Sequence, residues 1–178
     1  MRILFDARIV RERSDGLSTY VRHLLTRLLA LDTGNEYLVL LGAAFHDHLA
    51  REGLGARPNV RLVVTRCPFM GVAQQVCIPL LVRRLSPVTL YHYPHFDIPL
   101  LTHACSVVTV HDLNHVTLDA YFDSHRWLKR AYSFGTTALS LTRARHILAV
   151  SQATKDQILA RFPWIAPEKI SVTYEAVG

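Results

Sequence analysis

The segment SVVTVHDLNHV, residues 106–116, ends an apolar run on His111 and Asp112 and places His115 four positions after His111. An imidazole beside a carboxylate offers hydrogen-bond donors and acceptors together, which suits sugar hydroxyls. Upstream, YHYPHFDIPLL (91–101) sets His92 and His95 just past another apolar run. Pro94 and Pro99 hold that segment extended. A metal site is the competing chemistry, since His92, His95, His111, Asp112 and His115 supply enough nitrogen and oxygen ligands. The spacing argues against it. His111 and His115 face the same way only on a helix, and a strand followed by Asp-Leu-Asn reads as a loop. No metal is expected. For each single histidine, burial with a backbone partner is the plain alternative.

A third segment, RERSDGLSTYVRHLL (11–25), joins the first strand to the first helix. Ser14, Asp15 and Gly16 form a turn, with the helix starting near Leu17. Amide groups at a helix start attract anions, and a glycine lets a phosphate approach. A hydrogen bond to a charged group contributes about 1.5–3 kcal/mol, so two or three such amides suffice for a diphosphate. With one glycine the loop fails the G-x-G-x-x-G fingerprint. Ser14 or Asp15 acting as a helix cap accounts for the same residues. Ser151, in AVSQATKDQIL (149–159), reads as the cap of a later helix.

The elements that position these residues follow from apolar spacing. Strands are predicted at 2–8, 36–41, 60–65, 88–92, 106–111, 146–151 and 169–177. Helices are predicted at 16–31, 70–85, 122–143 and 152–162, with Pro79 expected to kink or break the second. Gly135 weakens the third. The strands are nearly continuous Val, Ile and Leu, as in parallel sheets covered on both faces. Strand–helix alternation predicts an α/β fold with a doubly wound, mostly parallel sheet. Ligands in such folds sit past the carboxyl ends of the strands. That puts Asp6–Arg8, His92–His95, His111–Asp112 and Ser151 on one rim.

The 178 residues suit a single domain, and half of them are hydrophobic while 19% are charged. No apolar run reaches the roughly 18–20 residues that cross a bilayer. The start, MRILFDARI, meets Asp6 too early for a signal peptide, so a cytoplasmic location is expected. Cys67, Cys77 and Cys105 form no C-x-x-C pair and read as free, mostly buried thiols in a reducing compartment. The formal charge is +6, unevenly spread. Five arginines and no acid lie between Glu52 and Asp97, and six Lys or Arg and no acid between Asp123 and Asp156. Such stretches favour anionic partners, or simply solvate helix faces. No nucleic-acid motif is present, so nucleic acid is not expected. The stretch 66–88 mixes Arg66, Arg83 and Arg84 with Leu80, Leu81, Val82 and Leu85. It reads as a helix for an anionic membrane surface, or as a core-facing helix with exposed arginines.

Taken in order, FDAR, SDGLSTYVRHLL, YHYPHFDIPLL, VTVHDLNHV, ILAVSQATKDQI and KISVTYEAVG resemble the N-terminal domain of family 4 retaining glycosyltransferases of GT-B fold. The resemblance covers nearly the whole chain. It implies transfer of a sugar from a nucleotide-sugar donor to a glycan or lipid-linked acceptor, with the anomeric configuration kept and no metal or other cofactor. It implies two Rossmann-like domains, the N-terminal one binding acceptor. Gly16, Leu17 and Ser18 would approach the donor diphosphate, and His111 and Asp112 would be catalytic. Asp6, Arg8, Tyr20, His92 and His95 would bind acceptor. The loop reads Gly-Leu-Ser where the family often has Gly-Ile-Gly, which puts a side chain where a phosphate should come close. The sequence ends at Gly178, where family members continue into a C-terminal nucleotide-sugar domain. This half is therefore expected to be inactive alone, in the cytoplasm or peripheral at the inner face of the membrane. Two other readings stand beside it: a non-catalytic assembly module that pairs with a partner domain, and a metal-dependent hydrolase using the rim histidines.

Overall fold

A computed structural model of the chain describes residues 1–10, 15–42, 45–46, 53–114 and 126–175. They form two compact units, Met1–His92 with Leu101–Cys105, and Tyr93–Leu100 with Ser106–Gly178.

The first unit contains β1 (Arg2–Asp6), α1 (Gly16–Leu31), β2 (Glu36–Gly42), β3 (Val60–Thr65), α2 (Gln74–Arg84) and β4 (Leu90–Tyr93). Its strands are parallel, in the order β3-β2-β1-β4. The chain winds outward from β1 to β3 and then returns to the other side of β1, where Ile3, Leu4 and Phe5 pair with Leu90, Tyr91 and His92. The strand order therefore reverses between β1 and β4, and such a reversal opens a crevice at the carboxyl ends. Alternation sends Ile3, Phe5, Tyr37, Val39 and Leu41 into one core cluster. Leu4, Leu38 and Leu40 are equally buried, so both faces of these strands are covered. Helix α1 buries Val21, Leu25 and Leu29, with Leu17, Tyr20, Leu24 and Leu28 packed at the margin of the same cluster. That is the predicted stripe.

The second unit contains β5 (Cys105–Val110), α3 (Arg126–Arg143), β6 (His146–Ala149), α4 (Gln152–Arg161) and β7 (Ile170–Val172). Its strands are again parallel, in the order β5-β6-β7. Ser151 caps α4, its Oγ accepting from the Thr154 amide at 3.0 Å. Lys169 closes α3 by donating to the last carbonyls, Leu141 at 2.7 Å and Thr142 at 2.6 Å. A cation there meets the negative end of the helix dipole. The chain is thus an α/β protein built on a doubly wound, Rossmann-like parallel sheet.

Four expectations change. Helix α2 runs through Pro79 without a break, since only the bond that residue 79 would donate to residue 75 is lost. The last strand stops at Val172, well short of residue 177, and Thr173–Glu175 continue beyond its carboxyl end. The predicted helix at 122–143 begins, within the described residues, at Arg126. The cysteines are not three buried thiols. Cys67 and Cys77 are half-buried and joined in a disulfide with their Cα atoms 6.2 Å apart, and Cys105 is exposed. The turn between β3 and α2 brings two cysteines ten positions apart within bridging range, which no C-x-x-C spacing signals.

Candidate functional site

At the end of β1, Asp6 is fully buried. Its carboxylate accepts from three donors of Arg8: the backbone amide at 3.1 Å, Nε at 2.9 Å and 3.1 Å to the two oxygens, and Nη2 at 2.7 Å. The Tyr91 hydroxyl, from β4, donates to the same carboxylate at 2.6 Å. The two-residue spacing lets the guanidinium fold back onto the strand end. Its other donors reach the Pro68 carbonyl at 2.8 Å and Gln74 Oε1 at 3.2 Å. Gln74 Oε1 also accepts from the Met70 amide at 3.1 Å, which ties the loop before α2 to the network. Arg8 lies over the Phe69 ring, 5.6 Å from its centroid. Burial, then the neighbouring Asp6 charge, holds the Tyr91 hydroxyl well above the usual phenol range, so it keeps its proton.

His92 ends the β4 pairing with β1 and is buried, edge-on to Phe5 with ring centroids 4.9 Å apart. Burial lowers its pKa to about 4, so the ring is neutral at physiological pH.

The loop residues at the start of α1 differ in what they can offer. Asp15, one of the two expected caps, is the capping side chain, and it accepts from the Ser18 amide at 2.7 Å. Ser18 is buried and its hydroxyl donates to the Ile9 carbonyl at 3.5 Å. Both of its polar hydrogens thus have partners within the fold. Gly16 is exposed, and a Cβ there would meet nothing within 4 Å. Leu17 and Tyr20 pack at the edge of the core.

In the second unit, His95 and His111 are each held by a carboxylate. His95 is buried, its Nδ1 2.6 Å from Asp97 Oδ1, which also accepts from the Tyr93 hydroxyl at 3.0 Å. Phe96 covers the imidazole, with centroids 4.0 Å apart. His111, just past β5, places Nδ1 3.0 Å from Glu175 Oε1, from the segment beyond β7. A carboxylate only accepts, so Nδ1 carries the proton in both pairs. Burial lowers the His111 pKa, Glu175 and the Pro94 carbonyl oppose that shift, and the His95 charge adds to it. His95 and His111 therefore belong to one electrostatic neighbourhood. The His111 carbonyl accepts from Thr154 Oγ1 at 3.2 Å, so the cap of α4 fixes the strand end as well. Asp112 does not join its neighbour. It is exposed and accepts from the Asn114 amide at 2.9 Å, forming a local turn.

Tyr91, Gln74, Asp97 and Glu175 take part in these constellations without having been predicted. Asp97 had a signal: an acid two positions after a histidine in an extended segment. Glu175 had a weaker one, an acid just past an apolar run. Tyr91 and Gln74 had none, because their contacts span 85 and 66 residues. His115 lies outside the described residues. Among the described residues, no three His, Cys, Asp or Glu side chains are placed to hold a metal ion, and no helix is long and apolar enough to cross a membrane.

Residues 14–177 match the family model for Glycosyltransferase Family 4. No curated protein matches the chain.

Proposed function

Because the chain belongs to glycosyltransferase family 4, we propose that it is the acceptor-binding half of a retaining sugar transferase. Its donor is a nucleotide sugar and its acceptor a glycan or a lipid-linked glycan. The observation that carries this reading is His111, a neutral imidazole at the end of a parallel strand, oriented by Glu175 and beside the His95–Asp97 pair. A histidine kept uncharged and fixed in one orientation hydrogen-bonds a hydroxyl without bringing a charge into the site. Gly16 and Leu17 face the donor phosphates. In the first unit, Asp6, Arg8 and Tyr91 make a rigid cluster at the strand reversal.

Stabilising a departing diphosphate needs preorganised positive charge, and a helix start offers only part of it. Transfer therefore requires a second, donor-binding domain. Retention without a metal or other cofactor and a cytoplasmic location go with this reading. Helix α2 supports contact with an anionic membrane: Val76 and Leu80 are exposed one turn apart, and Arg83 and Arg84 follow in its last turn.

The test is a transfer assay over a panel of nucleotide sugars. The purified 178-residue chain should give no steady turnover, and the chain joined to a donor-binding domain should. With His111→Ala, turnover by the joined protein should fall about a hundredfold, the scale of a lost positioned polar group. Steady turnover by the isolated chain, or an unaffected His111→Ala, overturns the proposal.

A further inference from the structure

The loop between β3 and α2 is closed on itself by a covalent bond. Cys67, just past β3, is joined to Cys77 at the end of the first turn of α2, across ten positions. Inside that ring lie three groups that reach the buried Arg8. The Pro68 carbonyl accepts from Nη1 at 2.8 Å, Gln74 Oε1 accepts from Nη2 at 3.2 Å, and the Phe69 ring lies under the guanidinium.

The same loop holds a strained turn. Met70 has φ 68° and Gly71 has φ 91°. A left-handed backbone at a residue with a side chain persists only where its surroundings hold it, and such places cluster at switch regions. Met70 is held by its amide bond to Gln74 Oε1 at 3.1 Å and by the ring closed around it. One atom, Gln74 Oε1, thus ties both the turn and Arg8.

We propose that the Cys67–Cys77 bond is a reversible redox clamp, which holds this loop on Arg8 when oxidised and releases it when reduced. Both cysteines are half-buried, so an attacking thiolate can reach the bond. A small thiol such as glutathione attacks Cys67 Sγ. The S–S bond breaks, a mixed disulfide forms and Cys77 leaves as the thiolate, favoured by the positive end of α2. A second glutathione thiolate attacks the glutathione sulfur of the mixed disulfide and frees Cys67. Two electrons pass to the protein, the glutathiones depart as their own disulfide, and the two protons they gave up end on the cysteines. Glutathione disulfide drives the same steps backward.

Opening the ring gives the loop conformations that closure denies it, and Met70 can leave its left-handed state. Pro68, Phe69 and Gln74 then give up Arg8. Asp6 still accepts from Nε, Nη2 and the amide of Arg8 within the strand end, so that pair survives the release. Every part of the clamp belongs to the first unit. The inference does not depend on the transferase reading.

The test compares the full chain in glutathione disulfide and in reduced glutathione, with Cys105→Ser removing the exposed third thiol. Thiol titration should find none in the first buffer and two in the second. Phenylglyoxal labelling of Arg8, read by peptide mapping, should be at least about tenfold faster in the reduced protein, and so should hydrogen exchange at the Met70 amide. The Val21 and Leu25 amides of α1 should exchange as before, and returning to glutathione disulfide should restore the slow rates. Cys67→Ser with Cys77→Ser should match the reduced protein in both buffers, its thermal melt reporting that it is folded; the two-buffer comparison stands without it. Reduction that leaves Arg8 labelling and Met70 exchange unchanged overturns the proposal. So does exchange that quickens equally in α1, which is general unfolding, or a failure to recover on reoxidation.

Discussion

Asp6 and Arg8 form a closed pair at the end of β1, Arg8 Nη2 2.7 Å and Nε 2.9 Å from the two oxygens of a carboxylate that solvent does not reach. A buried ion pair adds little net stability relative to apolar residues, but breaking it leaves a charge with no compensation. Arg8→Met should therefore destabilise the protein by about 3–5 kcal/mol. Tyr91→Phe removes one donor to a charged acceptor and should cost about 1.5–3 kcal/mol. Urea unfolding of both variants checks this. An Arg8→Met midpoint equal to wild type would mean that the pair is not what holds this strand end.

His92 makes stability depend on pH. Its folded pKa of about 4 lies below the ordinary value of 6.5. Above 6.5 both states are neutral and the ring has no effect. As pH falls from 6.5 towards 4 the unfolded chain takes up a proton that the folded chain refuses, so stability drops. The full loss is about 3 kcal/mol, reached below the folded value. Denaturation at a series of pH values should show this decline, and His92→Gln should remove that part of it.

Glu175 should be visible in the titration of His111. Burial lowers the His111 pKa while Glu175 raises it. Glu175→Gln should thus push the His111 pKa lower still, followed by the ring proton shifts in NMR. An unchanged His111 titration would show that the two side chains do not meet in solution.

The cysteines should differ in reactivity. In protein purified without reductant, alkylation should label Cys105 alone, and peptide mapping should find Cys67 linked to Cys77. Closing a loop of this length restricts the unfolded chain by about 2–3 kcal/mol, so a reductant should lower the melting temperature. Two further labelled thiols without reductant would contradict the bond.

Most of the framework can be read from local spacing. Helix α1 and strands β2 and β3 follow from three-and-four periodicity and short apolar runs, and parallel pairing follows from strands apolar on both faces. Ser151 is legible as a cap because capping is a contact between residues three apart. The candidate site is legible only by half. His92, His95 and His111 stand out as polar residues at the ends of apolar runs. Their environments do not, because His111 meets Glu175 across 64 residues and Arg8 meets Gln74 across 66. Ser18 shows the reverse case. Its place in a loop resembling a phosphate loop is plain in the sequence, but its burial and its bond to the Ile9 carbonyl are not. Pro79 is a reminder that tertiary packing overrides a local breaker when only one helical bond is lost.

The reversal of strand order between β1 and β4 also governs how the chain assembles. During synthesis β1 leaves the ribosome first, and β2 and β3 reach it on one side early. Its other edge stays unpaired until Leu90–His92 arrive, with the whole of α2 made in between. Non-local parallel pairing of this kind is slow and leaves an exposed edge that invites aggregation. A nascent chain halted before residue 90 should accordingly be a good chaperone client, and one halted shortly after residue 105 a poor one.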